Sequence, residues 1–164
     1  MNNDALRQLY ERYSREIYLY LLSLCKDGRL AEDLMQETFL KALLSLDETH
    51  ANLRAWLYTV ARNLFYDGAR RRKLEQSLME SMLSDAPQDP DELLEMKLRN
   101  EKLREAIMRL EPRKREVIVL QYFSGMSVKE IAIVMRISEE NVRVLAYRAK
   151  KELKKSLEEP HEIQ

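Results

Sequence analysis

The stretch Leu53 to Lys73, LRAWLYTVARNLFYDGARRRK, interleaves aromatic rings with cations. It holds Arg54, Arg62, Arg70, Arg71, Arg72 and Lys73 against one acid, Asp67. Read as a helix, it places Leu53, Leu57, Val60, Ala61 and Leu64 on one apolar stripe. The opposite side carries Tyr58, Arg62, Tyr66 and Arg70, with Thr59 and Asn63 beside them. Rings that stack on unpaired bases, next to cations that follow phosphates, are what single-stranded nucleic acid requires. The same pattern also fits an ordinary amphipathic helix, with tyrosines at its boundary and an Arg run that ends it and complements its dipole.

A second set of such residues lies near the C-terminal end. Ser127-Val-Lys-Glu130 is a capping-box pattern that opens a short helix to Met135. Arg136-Ile137 then turns the chain, and Ser138 caps a long helix to about Leu157. Two capped helices around so short a turn suggest a helix-turn-helix. Ile131, Met135, Ile137, Val142 and Leu145 have the spacing that locks two helices at a steep angle, and Ala132 permits close approach. The turn residue is Arg136 where glycine is common, at a cost of about 1 kcal/mol. With Val142, Leu145, Ala146 and Ala149 turned inward, the outward residues are Glu140, Asn141, Arg143, Val144, Tyr147 and Arg148. Asn141 and Arg143 suit base edges in a major groove, and Glu140 suits the cytosine amino group. Lys150, Lys151, Lys154, Arg113, Lys114 and Lys129 suit phosphates. A plain helical hairpin with a solvated charged face has the same spacing.

Little else invites covalent chemistry. His50 and His161 stand alone, Cys25 is the single cysteine, and no glycine-rich phosphate loop occurs. The expectation is a protein without a catalytic site, metal or other cofactor. Cys25 sits in the apolar run IYLYLLSLC and reads as a small buried residue.

The elements that must position these residues follow from composition. Among 164 residues there are only 3 glycines and 4 prolines, against 45% hydrophobic and 34% charged residues, which predicts an all-α chain. A first helix spans Asp4 to Lys26, Asp27-Gly28 turns, and a second runs from about Leu30 to Leu46. On the second, Leu34, Phe39, Leu40, Leu43 and Leu44 are expected inside, and Asp33, Gln36, Glu37 and Lys41 outside. LDETHAN, 46–52, reads as a loop before the Leu53 helix. SDAPQDPDE, with two prolines and four acids in nine residues, reads as a flexible linker. Helical periodicity resumes at Leu94 and continues to Leu110. Pro112 then stops that helix or starts the next, which runs from Arg113 to Tyr122.

The zero net charge conceals segregation. Residues 1–74 carry +2, residues 75–105 carry −5, residues 106–157 carry +6 and residues 158–164 carry −3. Two basic blocks around an acidic one point toward nucleic acid. No apolar run reaches the ~18 residues of a membrane span, and MNNDALRQLYERY has no export signal, so a cytoplasmic chain is expected.

Three segments together resemble the extracytoplasmic-function sigma factors, within the sigma-70 family of bacterial RNA polymerase. AEDLMQETFLKAL (31–43) is similar to that family's most characteristic stretch. RAWLYTVARNLFYDGARRRK (54–73) resembles its promoter-melting segment, and 110–153 resembles its C-terminal helix-turn-helix domain. The resemblance implies an all-α fold of two small helical domains. It implies a region 2 domain over 1–74, a linker over 75–95, a region 4 domain over 96–157 and an acidic tail over 158–164. Asp33, Gln36, Glu37 and Lys41 would meet the polymerase. His50, Asn52, Tyr58, Arg62, Asn63, Tyr66 and Arg70 would handle the −10 element and its melted strand. Arg113, Lys129, Glu140, Asn141, Arg143, Val144, Tyr147, Arg148 and Lys151 would hold the −35 duplex. Implied partners are core RNA polymerase, promoter DNA and a membrane-bound anti-sigma factor, in a stress response, with no metal and no insertion into the membrane. Where the family commonly has Ser-Arg-Leu in its recognition helix, this chain has Val144-Leu145-Ala146. Two rival readings are a stand-alone helix-turn-helix repressor and a helical adaptor that binds only protein.

Overall fold

The computed structural model describes residues 3–45, 52–78 and 101–158. Among these, regular structure is entirely helical. The chain divides into two compact units, Met1–Pro90 and Asp91–Gln164.

In the first unit, α1 (Asn3–Cys25), α2 (Gly28–Ser45) and α3 (Leu53–Leu78) pack on one another. Lys26 takes a left-handed conformation (φ 55°) to end α1. The Asp27 carboxylate then accepts from the amides of Arg29 (3.1 Å) and Leu30 (3.3 Å), so α2 starts two residues earlier than its apolar pattern suggests. Asn52 caps α3 in the same way, accepting from the Ala55 amide at 3.0 Å. The core combines Ile17, Tyr20 and Leu21 of α1 with Ala31, Leu34, Met35, Phe39 and Ala42 of α2 and Ala55, Leu57, Tyr58, Ala61 and Leu64 of α3.

Three expectations for this unit are corrected. Leu40, Leu43 and Leu44 of α2 are exposed rather than buried. The buried line runs through Ala31, Leu34, Met35, Thr38, Phe39 and Ala42. Small alanines let α2 approach its neighbours, and Thr38 enters the core because its hydroxyl donates to the Leu34 carbonyl at 2.7 Å. Tyr58, expected outward, is wholly buried. A ladder of every fourth residue advances about 40° per step on a helix of 3.6 residues per turn. The row Tyr58, Arg62, Tyr66, Arg70 therefore starts in the core and rotates onto the surface. Finally, the Arg70–Lys73 run does not end α3, which continues to Leu78, so the cations lie before the last turn and the dipole explanation for them falls away.

The second unit contains α4 (Glu101–Arg109), α5 (Pro112–Ile118), a π-helical turn (Val119–Phe123), α6 (Val128–Met135) and α7 (Glu139–Glu158). Residues 94–100, expected to begin α4, lie outside the described residues. Pro112 begins a helix, behind the N-cap Glu111. The buried Arg115 guanidinium donates back to the Met108 (3.2 Å) and Leu110 (3.5 Å) carbonyls, which tie the end of α4 to α5. The π turn closes with the Ser124 amide on the Val119 carbonyl at 3.0 Å, and Gly125 (φ 65°) redirects the chain. The Ser127–Glu130 capping box is formed in both directions, at 3.1 and 3.2 Å. Arg136 adopts the left-handed turn (φ 57°), and Ser138 Oγ accepts from the Asn141 amide at 3.0 Å. Ile131, Val134, Met135, Val142, Ala146 and Ala149 lock the two helices of the motif.

Candidate nucleic-acid interface

Three surfaces collect the residues singled out in the sequence. The first is the outer face of α7. Val142, Ala146 and Ala149 are buried and Leu145 half-buried, which turns Glu140, Asn141, Arg143, Val144, Tyr147, Arg148 and Lys151 to solvent together. Because Ser138 takes the Asn141 backbone amide, the helix start is fixed while the Asn141 side chain stays outside. Arg143 lies 3.9 Å from Glu139, both mostly exposed, a pairing too weak to hold the guanidinium back. Lys129 and Arg113 are exposed in the first turns of α6 and α5. Two further cations are engaged within the unit: Lys114 pairs with Glu152 at 2.9 Å, and Lys150 lies over the Tyr122 ring at 5.3 Å.

The second surface is on α3. The Arg62 guanidinium lies 4.6 Å from the Tyr66 ring centroid, and both residues and Asn63 are half-exposed. Arg70 is exposed and pairs with Asp67. Tyr58 belongs to the scaffold beneath. Its ring packs against Tyr20 at 5.0 Å, and its hydroxyl donates to Glu16 Oε1 at 3.0 Å. The same Glu16 oxygen accepts from Arg54 Nε at 2.6 Å, so this carboxylate sets how α3 sits on α1. Asn52 is the helix cap already described, and His50 lies outside the described residues, as does the rest of the loop 46–51.

The third surface is on α2. Asp33, Gln36, Glu37 and Lys41 are all exposed, as their spacing implies. The sequence reading missed that Leu40 (55% exposed) and Leu44 (77%) stand in the same row. The available signal was their offset from the alanine line at 31 and 42. Leu6, Tyr10, Phe39, Leu40 and Leu43 line a groove of about 430 Å³ between α1 and α2. This face is therefore acidic and apolar at once, the composition of a protein-binding surface rather than one for nucleic acid.

Burial pushes the Cys25 thiol above its usual range; the Sγ donates to the Asp27 carbonyl at 3.2 Å. Among the described residues no three His, Cys, Asp or Glu side chains could hold a metal, and no helix is long and apolar enough to cross a membrane.

Comparison with known proteins matches two segments of the chain to family models. Residues 9–75 match sigma-70 region 2, and residues 100–153 match sigma-70 region 4. The ECF RNA polymerase sigma factor SigM of Bacillus subtilis is 36% identical over 155 residues, covering 92% of this chain and 93% of that protein. The RNA polymerase sigma factor YlaC of the same organism is 32% identical, covering 98% and 96%. Among solved structures, the sigma factor RpoE of Bartonella quintana, in complex with the anti-sigma factor NepR, is similar with a TM-score of 0.72 at 26% identity. That likeness covers 94% of this chain and 98% of that one. With α2 and all but the last turn of α3 in one matched segment, and α6 and most of α7 in the other, the chain belongs to the extracytoplasmic-function sigma factors of the sigma-70 family.

Proposed function

We propose that this sigma factor directs bacterial core RNA polymerase to promoters by dividing three tasks among the three surfaces. Asp33, Gln36, Glu37 and Lys41, joined by Leu40 and Leu44, dock on the polymerase. Arg62, Asn63, Tyr66 and Arg70 receive the melted non-template strand of the −10 element, and His50 and Asn52, which precede α3 in the sequence, contribute to the same task. Arg113, Lys129, Glu140, Asn141, Arg143, Val144, Tyr147, Arg148 and Lys151 hold the −35 element as duplex. Residues 1–74 and 96–157 are the two working domains; α3 extends the first to Leu78, and the acidic segment after it, up to residue 95, mimics nucleic acid along the polymerase channel.

The observation that carries this reading is the pairing, in one chain, of a half-exposed ring-and-cation face on α3 with an exposed polar and basic face on the second helix of a helix-turn-helix, α7. Melting costs about 1.4 kcal/mol per base-pair step. Each captured base returns about 1–3 kcal/mol through stacking. One or two captured bases nearly balance a few opened pairs, so opening needs neither a nucleotide fuel nor a catalytic group. The protein selects the open state by binding it better. Each reader alone is weak, and polymerase holds them at a fixed spacing, which raises their effective concentration.

Control by an anti-sigma factor is supported by the similarity to a sigma factor solved with one. The acidic and apolar α2 face is the surface such a partner covers, and a membrane-attached partner would tie a cytoplasmic sigma factor to an external stress. A stand-alone repressor would need only α6–α7 and leaves the faces of α2 and α3 without a task. Run-off transcription with core polymerase tests the proposal: the chain should produce promoter-specific transcripts, and their absence on genomic fragments of the source organism would refute it.

A further inference from the structure

We propose that Val144 reads the methyl group of one thymine in the upstream promoter element. This rests on the reading of α7 as the duplex-binding helix and goes beyond it by naming a base and the group recognised.

Seven residues face outward on the first half of α7, and Val144 is the one aliphatic side chain among them. The buried line Val142, Ala146, Ala149 fixes the outermost line of the helix on the far side. At 3.6 residues per turn, Val144 falls within roughly 30° of that outermost line, as do Glu140 and Lys151. It is 38% exposed, so its methyl groups lie at the surface rather than in the core. Charged or polar residues surround it: Glu140 one turn earlier, Arg143 beside it, Tyr147 (66% exposed) and Arg148 one turn later.

The chemistry of a major-groove floor then selects the base. Guanine shows two acceptors there, adenine an acceptor and a donor, and cytosine a donor. Only thymine shows an apolar group, its C5 methyl. A branched aliphatic side chain pressed onto guanine, adenine or cytosine displaces water from polar edges and offers nothing in return. Pressed onto thymine, it buries one methyl against two. Val144 thus favours thymine and penalises the other three bases, while the cations at Arg148 and Lys151 hold the flanking backbone. Glu140, Asn141 and Arg143 leave neighbouring bases to hydrogen-bonded readout.

Deoxyuridine provides a direct test, since it pairs as thymine does but lacks the methyl. Holoenzyme made from core polymerase and this chain first selects initiating templates from a library randomised upstream. Thymines in the selected upstream element, on either strand, are then replaced singly by deoxyuridine. At one position the replacement should weaken holoenzyme binding about fourfold, the transfer cost of one methyl. Val144→Ala should bind the thymine template about as weakly as wild type binds the uracil one, and should no longer distinguish the two. The inference is overturned if the selected element has no thymine, if no replacement matters, or if Val144→Ala keeps the full sensitivity. Holoenzyme that initiates on no template would instead overturn the sigma-factor assignment of surfaces itself, so the two failures are told apart.

Discussion

Two tyrosines eight residues apart on α3 should fail in opposite ways. Tyr66 is half-exposed beneath the Arg62 guanidinium. On the proposed reading, Tyr66→Ala removes a stacking platform worth about 1–3 kcal/mol per base. That corresponds to a loss of roughly 5- to 150-fold in the open-complex equilibrium. Because this ring is half-buried rather than in the core, Tyr66→Ala should cost less thermal stability than truncating a core ring would, about 3–5 kcal/mol, and polymerase affinity should hardly change. Tyr58 is wholly buried, and its hydroxyl donates to Glu16 Oε1 at 3.0 Å. Tyr58→Phe keeps the ring and removes one hydrogen bond to a charged group, about 1.5 kcal/mol of stability. In a unit of this size that lowers Tm by several degrees, about 4–8 °C per kcal/mol. Permanganate reactivity of promoter thymines reports opening, and calorimetry of the free protein reports stability. If Tyr66→Ala opened promoters normally while Tyr58→Phe abolished opening without loss of stability, the separation of scaffold from strand-binding face would be refuted.

Other substitutions probe the remaining surfaces. Leu40→Asp should weaken core polymerase binding by about 2 kcal/mol, roughly 30-fold, as an exposed apolar anchor would. Its thermal stability should stay within about 0.5 kcal/mol of wild type, and titration of labelled protein with core enzyme measures the affinity. Arg136→Gly should stabilise the second unit by about 1 kcal/mol, since Arg136 holds φ 57° and glycine bears no such strain; denaturant midpoints decide. Burial raises the Cys25 thiol above its normal range, so the folded chain keeps that proton where the unfolded chain loses it. The stability contributed by the retained proton is intact below the unfolded thiol pKa of about 8.5 and falls as pH rises past it. Iodoacetamide should accordingly label Cys25 far more slowly in the folded protein than in urea at pH 8.5.

Local signals carried much of the architecture. The Ser127–Glu130 box and the Ser138 cap fix α6 and α7 within a residue, because capping is decided by side chains next to the helix start. The outward set on α7 follows equally directly, since small and branched apolar residues mark its buried line. On α2 the same reasoning misplaced three leucines. Apolar residues occupy both faces there, and only packing against α1 and α3 decides that alanines and Thr38 go inside. Tyr58 was misplaced because spacing by four drifts around the helix, and its Glu16 partner lies on another helix. The π turn at Val119–Phe123 has no compositional mark; it arises where Gly125 and Met126 must redirect the chain. The Arg70–Lys73 run resembles a helix stop, yet nothing in it breaks a helix, and α3 continues.

The central claim is that polymerase brings two weak readers to a fixed spacing. It is tested most directly by measuring the affinity of one selected promoter fragment for the chain alone and for the chain on core polymerase, at the same salt. The account predicts weak binding by the free chain and tight, promoter-specific binding by the holoenzyme. Tight, specific binding by the free chain, unchanged when polymerase is added, would contradict it.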